Sequence, residues 1–520
     1  MMRPATRARA AAAVLALAVS ACASPSSAPS TDAPTPAEDE RRLPGSTSND
    51  IRVTLVQLND VYEITPVSGG AQGGLARVAT LLQRLEAWNP NTLAVIAGDF
   101  LSPSALGTAR IDGERLAGRQ MVAVLNAMGL DYATFGNHEF DLDAEDFRRR
   151  LDEAEFGWFT SNVLDGAGRP LQGVSGVEVL RFIGAAGDTL RLGMIGVTRA
   201  GGEPDYVSVS DPIDAVRDEV DALGDSVQAL VALTHLDFAE DTELAQTVPE
   251  LDLIMGGHDH ENMVLRRGPR LIPITKADAN ARSVFVHEIR WDPRVQQLDI
   301  ESRFVPITDE TTDEPETAAE AARWVDIAYA GFRAQGFEPD EVVTDVTEPL
   351  DGLEASVRTR PTMLTELIAE GMLAEVEGAD LSILNGGSIR IDDVIPPGPM
   401  TQYDVIRALP FGGEVVEVLM GGALLNEVLR QGIDNQGTGG YLHTAGVDWT
   451  VIGAPFEVAG APIDPDATYR VAITDFLITG RETGLGYLTP DHPQLEVVGS
   501  HRDVRQALID ALRRRFGGGG

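Results

Sequence analysis

Apolar residues recur along this chain in short dense runs that stop at polar, glycine-flanked positions. Ile51 to Leu58 is such a run and breaks at Asn59-Asp60. Leu93 to Ala97 breaks at Gly98-Asp99, Tyr132 to Phe135 at Gly136-Asn137-His138, Val227 to Leu233 at Thr234-His235, and Leu251 to Met255 at Gly256-Gly257-His258. Short apolar runs bounded by turn residues predict buried strands, so five strand ends each carry a potential ligand. Between them, Leu75 to Ala87 and Arg119 to Met128 repeat at helical spacing, and the alternation predicts a layered α/β fold. After Phe304 the pattern changes. Asp309 to Glu316 is acidic and polar, and Pro315 to Ala334 reads as a helix ending near Gly336. The pattern predicts a first domain over 51–310, a linker helix over 311–340 and a second domain over 341–516. No short-period repeat points to a solenoid or propeller.

The ends add an address. Arg3, Arg7 and Arg9 precede an apolar run from Ala10 to Val19, too short to span a bilayer but suited to a secretory signal over 1–21. Val19-Ser20-Ala21-Cys22 resembles a bacterial lipobox, which implies lipidation of Cys22; the alternative is a plain signal with a chance cysteine. Residues 22–50 are rich in Ser, Pro, Thr and Ala and read as a disordered tether. Nothing later in the sequence is long and apolar enough for a second span, and Gly517 to Gly520 reads as a frayed tail. The expectation is an exported lipoprotein on the periplasmic or extracellular face, touching the membrane only through its lipid anchor.

Composition narrows the chemistry. The 520 residues are 43% hydrophobic and 23% charged, which excludes a wholly disordered chain, and one Cys excludes an internal disulfide framework. Asp and Glu number 80 against 41 Lys and Arg, a net charge of −39 that repels polyphosphate backbones. Nucleic acid polymers are excluded as partners, whereas a small phosphorylated substrate is not, because a metal ion can supply local positive charge. No protein partner is evident. Lys276 is the only lysine, and no function follows from that count.

Asp60, Asp99, Asn137, His235, His258 and His260 combine carboxylate, amide oxygen and imidazole, the donor set of borderline divalent metals such as Mn, Zn, Co or Fe. Any one of them alone is an ordinary turn former or unliganded loop residue. Their joint order, Asn59-Asp60, Gly98-Asp99, Gly136-Asn137-His138-Glu139, His235 and Gly257-His258-Asp259-His260, resembles the calcineurin-like metallophosphoesterases and, within them, the bacterial 5′-nucleotidase family. The resemblance implies a four-layer αββα metallophosphoesterase domain, a second α/β substrate-binding domain and two divalent metal ions. Asp99 would bridge the ions, Asp60 and His260 would serve the first, and Asn137, His235 and His258 the second. His138, oriented by Asp141, would stabilise the phosphoryl group and assist the leaving oxygen. Asp141 is alternatively an N-cap for a helix over Asp143 to Leu151.

One motif departs from the family. Asp60-Val61-Tyr62 stands where Asp-x-His is usual, so Tyr62 could ligate as a phenolate, hydrogen-bond near the metal, or pack. In the second half, Leu384-Asn385-Gly386-Gly387-Ser388-Ile389-Arg390, Leu409-Pro410-Phe411-Gly412-Gly413 and Asp475-Phe476-Leu477 resemble the family's substrate-binding domain. By that resemblance Arg358 and Arg390 would hold phosphate, Asn385 would bind substrate and Phe411 would stack on a base. The family's Gly-Gly-Asp-Gly-aromatic stretch is altered to Arg481-Glu482-Thr483-Gly484-Leu485-Gly486-Tyr487, which makes Tyr487 a candidate opposite clamp; Phe411 and Tyr487 are otherwise core residues. The implied activity is release of phosphate from nucleoside 5′-monophosphates or related nucleotides in salvage. A UDP-sugar hydrolase, a 2′,3′-cyclic nucleotide phosphodiesterase, a sulfur-ester hydrolase and a non-catalytic nucleotide-binding lipoprotein are the alternatives.

Overall fold

The computed structural model describes residues 49–448 and 455–517. The expected signal segment, Cys22 and nearly all of the tether lie outside the described residues. The folded body begins slightly earlier than the tether boundary suggests, since Asp50 pairs with Arg290 at 3.3 Å.

Two six-stranded sheets form the first domain. One runs Gln297–Pro306, Ser283–Asp292, Ile51–Leu58, Thr92–Ala97, Tyr132–Thr134, Gly157–Trp158; the other runs Met263–Arg267, Ile272–Lys276, Leu253–Gly256, Ala229–His235, Thr189–Thr198, Val177–Ile183. The side-chain period of two explains why the central strands carry apolar residues on both faces. In Ile51–Leu58, Ile51, Val53 and Leu55 pack between the sheets, while Val56 and Leu58 pack against a helical layer. Ala229–His235 repeats this, with Ala229, Val231 and Leu233 between the sheets and Leu230 and Ala232 turned outward. Both faces of each central strand are covered, and the result is four layers. Leu75–Trp88 and Arg119–Met128 cover one outer face; Pro212–Leu223 and Phe238–Thr247 cover the other.

The central pairings, Ile51–Leu58 with Thr92–Ala97 with Tyr132–Thr134 and Thr189–Thr198 with Ala229–His235 with Leu253–Gly256, are parallel. Their carboxyl ends therefore deliver successive loops to a common edge, the usual position of a site in such sheets. One strand is displaced from the sequence reading. It spans Ala229–His235 rather than Val227 to Leu233, because His235 stays in parallel register with Thr198 and is itself buried.

Helix Pro315–Ala334 starts with Glu314 as N-cap, whose side chain accepts from Glu316 N and Thr317 N. It packs on Leu75–Trp88 and Arg119–Met128, and its buried Trp324, Ala328 and Phe332 carry one continuous apolar cluster on to Phe337, Val343, Leu367 and Leu508. The second domain is a five-stranded sheet in the order Leu442–Ala445, Leu381–Asn385, Thr468–Thr474, Glu414–Gly421, Leu495–Asp503. Met363–Glu375 and Val504–Phe516 pack together, and Gly422–Asp434 closes a separate core with Leu381, Ile383, Val418 and Val471. Polar contacts join the domains. Tyr403 donates to Glu63 at 3.1 Å, and Arg407 lies between Glu63 at 3.3 Å and Asp393 at 3.5 Å.

Candidate metal centre

The strand ends converge. Asp60, Asp99 and His235 are buried, and Asp99, His235 and His258 offer donor atoms within 4.8 Å of one another. His235 Nε2 lies 3.1 Å from Asp99 Oδ2 and 4.0 Å from Asp60 Oδ1; His260 Nε2 lies 3.6 Å from Asp60 Oδ1. The backbone is strained to achieve this. Asp60, Asp99 and His258 have φ of 53°, 55° and 74°, a left-handed conformation costly for residues with a Cβ. Glycine allows the close approach: a Cβ at Gly136 would stand 2.1 Å from Asp99 Oδ1, and one at Gly257 would stand 2.4 Å from Ala97 O.

The donor set fits cations. His235 Nδ1 faces the Ala97 carbonyl at 2.7 Å, an acceptor that holds the proton on Nδ1 and turns Nε2 toward the carboxylates. That Nε2 approaches Asp99 without the alignment of a hydrogen bond, and Asn137 Oδ1 is likewise buried without a partner. Burying Asp60 raises its carboxyl, with the His235 and His260 charges opposing. For His235 burial pulls downward, but Asp99 and Asp60 outweigh it and lift the imidazole to about 9. Two buried carboxylates among lone-pair donors call for positive charge, and divalent ions supply it.

Three residues without an assigned role hold the loops. The Glu139 carboxylate accepts four backbone N–H groups, from Asp99 at 2.8 Å, Phe100 at 2.8 Å, Leu101 at 3.0 Å and Gly136 at 2.6 Å. Lys276 is fully buried and donates to Leu236 O, Gly257 O and Asp259 Oδ2, with Asp241 Oδ2 at 2.9 Å. It ties the loop after His235 to the loop of His258 and His260. Arg199 donates from Nη1 to His258 Nε2.

His138 donates its backbone N–H to Asp99 Oδ1 at 2.8 Å, and its Nδ1 meets Asp141 Oδ2 at 2.7 Å. The cap of helix Ala144–Glu153 is Asp143, so Asp141 does not serve as that N-cap. Tyr62 Oη sits 3.2 Å from His260 Nε2 and 3.4 Å from both Asp60 Oδ1 and Asp99 Oδ2. Burial, then the Asp99 and Asp60 charges, holds its phenol well above the ordinary range, with Arg390 opposing.

The second domain contributes Arg358, Asn385, Arg390 and Phe411. Arg358 pairs with Glu354 at 2.6 Å, and Asn385 donates to Glu482 at 2.7 Å. Arg390 Nε is buried without a partner, and its guanidinium lies 5.8 Å from the Phe411 ring centroid. Phe411 is 45% exposed and lines a cavity of about 260 Å³ with Ser102 and Asp141 of the first domain. Tyr487 stands in the second domain. Its ring packs on the core of the second domain and meets His492, and its hydroxyl is buried. Phe476 is 39% exposed, on the loop where Asp475 accepts from Glu414 N. The sequence offered Phe476 within a quoted motif, Glu139 within another and Lys276 as the sole lysine. Asp392 and Arg199 carried no signal.

Residues 53–262 match the family model described as calcineurin-like phosphoesterase, and residues 342–487 match that of the 5′-nucleotidase C-terminal domain. The chain belongs to the 5′-nucleotidase family. It is 25% identical over 489 residues to 5′-nucleotidase of Homo sapiens, covering 83% of this chain and 82% of that protein. Against the trifunctional nucleotide phosphoesterase YfkN of Bacillus subtilis it is 27% identical over 477 residues, 79% of this chain but only 31% of that protein. The 5′-nucleotidase precursor of Thermus thermophilus superposes with a TM-score of 0.71 at 25% identity, covering 89% of this chain and 97% of that one. The protein is thus a metal-dependent phosphoesterase of this class, and Asp99, His235 and His258 form a candidate divalent-metal site among the described residues.

Proposed function

We propose that the protein releases phosphate from nucleoside 5′-monophosphates or related nucleotides, at the cell envelope and in salvage, held to a membrane by lipid on Cys22. The reading is supported by the cluster of Asp60, Asp99, His235, His258 and His260 at the strand ends, and by the cavity that Phe411 of the second domain shares with Asp141. Two ions are assigned, one at Asp60 and His260 and one at Asn137, His235 and His258, with Asp99 between; Mn, Zn, Co and Fe all suit this mix of donors. Divalent ions held there neutralise phosphate charge and acidify water.

The chain's own groups do the rest. Arg390 and Arg358 bind the phosphate oxygens or their neighbours, and a guanidinium can do so with two parallel hydrogen bonds. Asp141 accepts from His138 Nδ1–H; burial opposes the doubly protonated imidazolium, but Asp99 and Asp141 favour it, and the Nε2–H of that form would donate to the phosphoryl group or the departing oxygen. Phe411 and Phe476 take the base by stacking, which tolerates any base. Asn385, fixed by Glu482, contacts the nucleoside. The 260 Å³ cavity running from Phe411 past Asp141 to Arg115 gives room for a larger leaving group, and this favours nucleotide sugars as a second substrate class.

Hydrolysis of AMP followed as phosphate, of UDP-glucose as UMP and glucose 1-phosphate, and of a 2′,3′-cyclic nucleotide as its ring-opened monophosphate, on metal-stripped protein with Mn, Zn, Co or Fe restored, tests the reading. Metal-dependent hydrolysis supports it and ranks the substrates. Nucleotide binding without hydrolysis under every metal would replace it with a non-catalytic binding lipoprotein. For the anchor, Cys22→Ser is expected to move the protein from the membrane fraction to the soluble one.

A further inference from the structure

The second domain reaches into the first ion's ligand pair. His260 Nδ1 lies 2.8 Å from Asp392 Oδ2, and both side chains are largely buried, at 14% and 8% exposure. A carboxylate only accepts, so the imidazole proton is held on Nδ1 and Nε2 presents its lone pair to the side of Asp60 Oδ1, 3.6 Å away. Asp392 is in turn fixed from its own domain. Its Oδ1 accepts Glu354 N at 2.8 Å, and its backbone takes φ of 38°, a left-handed conformation that a residue with a Cβ adopts at a cost.

The adjoining Asp393 docks this segment on the first domain. It accepts Ser68 N at 2.7 Å and Ser68 Oγ at 2.8 Å, and it shares Arg407 with Glu63. Glu63 follows Tyr62 directly, so the contact that seats the second domain and the residue that replaces the usual imidazole ligand are neighbours in the chain. With Tyr62 in that place, His260 lies nearest Asp60 among the imidazoles described, at 3.6 Å against 4.0 Å for His235, which is assigned to the other ion.

We propose that Asp392 is a positioning residue for metal binding: it orients His260 across the domain boundary, so that affinity for the ion at Asp60 and His260 depends on how the second domain is seated. This rests on the assignment of an ion to that pair. A carboxylate behind a ligating imidazole fixes its tautomer and raises its basicity, and removing such a partner typically costs about 10- to 100-fold in metal affinity. An interface ion pair with only a structural role would instead lower stability and leave the two ions' relative affinities unchanged.

The test is titration of the metal-stripped full chain with Mn(II), read as bound ion per chain by electron paramagnetic resonance, with no substrate present. The variants are Asp392→Ala, Asp392→Asn and, as a control at the same seam, Ser68→Ala. Asp392→Ala is expected to weaken one class of site about 10- to 100-fold and spare the other. Asp392→Asn, whose amide oxygen can still accept from Nδ1, is expected to fall between it and the unaltered protein, and Ser68→Ala to match the unaltered protein. Unchanged affinity at both classes in Asp392→Ala, with near-ultraviolet circular dichroism preserved, overturns the proposal alone. Equal loss from both classes also overturns it. Failure of the unaltered chain to bind Mn(II), or any ion of the same group, refutes the underlying metal assignment and the proposal with it.

Discussion

Tyr62 Oη lies 3.2 Å from His260 Nε2, within hydrogen-bond reach of the Asp60 and Asp99 carboxylates. Burial and the Asp99 and Asp60 charges hold the phenol well above its ordinary range in the metal-free protein, where it acts as a hydroxyl. A neutral phenol is a poor substitute for imidazole at a borderline metal. Tyr62→His is therefore expected to tighten Mn or Zn binding at the Asp60 and His260 pair by about tenfold or more. Metal titration of the variant checks this; an affinity no better than that of the unaltered chain would mean that the site compensates for the missing imidazole in another way.

Glu139 organises two loops with one carboxylate, accepting N–H groups of Asp99, Phe100, Leu101 and Gly136. Burial first, then the Asp99 charge, raises its carboxyl to about 7, against the lowering effect of the backbone N–H groups that hold it. Glutamine keeps one acceptor oxygen but points an NH₂ at amides that themselves donate. Two or more buried N–H groups then lose partners, at about 1–3 kcal/mol each. Glu139→Gln should lower the denaturation midpoint accordingly and weaken metal binding through Asp99; urea unfolding with an unshifted midpoint would show that these amides find other acceptors.

Why some of this was legible in sequence follows from the geometry. Strands such as Ile51–Leu58 carry apolar residues on both faces because a sheet packs on one side and helices on the other, so the Asp, Asn and His residues clustered at their ends stand out. The donors at those ends were readable for that reason. Asp392 and Arg199 were not, since their roles depend on which loops meet across the fold, and no local pattern encodes that meeting. Tyr487 and Phe476 illustrate the same limit. Both follow from family-like motifs, but only burial separates a ring packed on the core from one left in the cleft.

His138 is held at both ends, by its backbone N–H on Asp99 and by Nδ1 on Asp141, and neither contact requires its imidazole to ligate an ion. Removing the ring should therefore spare metal content and slow turnover. General acid–base or electrostatic assistance of this kind contributes about 10²- to 10⁴-fold, the drop in kcat expected for His138→Ala. Metal analysis of the same preparation is the check: loss of an ion would make His138 a ligand.

Lys276 carries the chain's only side-chain ammonium into a fully buried position between Asp241 and Asp259. Breaking a buried pair from one side leaves an uncompensated charge and typically costs about 3–5 kcal/mol. Lys276→Met is expected to destabilise by that amount, and adding Asp241→Asn to recover part of it. Amine-reactive labelling gives an independent reading. Native protein should remain unmodified at Lys276 and become labelled on unfolding, as followed by mass spectrometry of the peptide; ready labelling of the native fold would contradict the buried placement.

Phe411 and Phe476 stand 45% and 39% exposed on loops clipped together through Asp475 and Glu414, whereas Tyr487 hides its hydroxyl and packs on the core. Large rings left in water at a cleft lose hydrophobic stabilisation that burial would supply, and a stacked base restores it. Base stacking on an aromatic is worth about 1–3 kcal/mol, which converts to about 5- to 150-fold in affinity. Phe476→Ala should raise KM for AMP within that range and change kcat less. Tyr487→Phe should leave KM unaltered, because its hydroxyl faces protein and not solvent. If Tyr487→Ala raised KM in a folded enzyme while Phe476→Ala did not, the clamp would belong to Tyr487, and the exposure of Phe476 would need another partner.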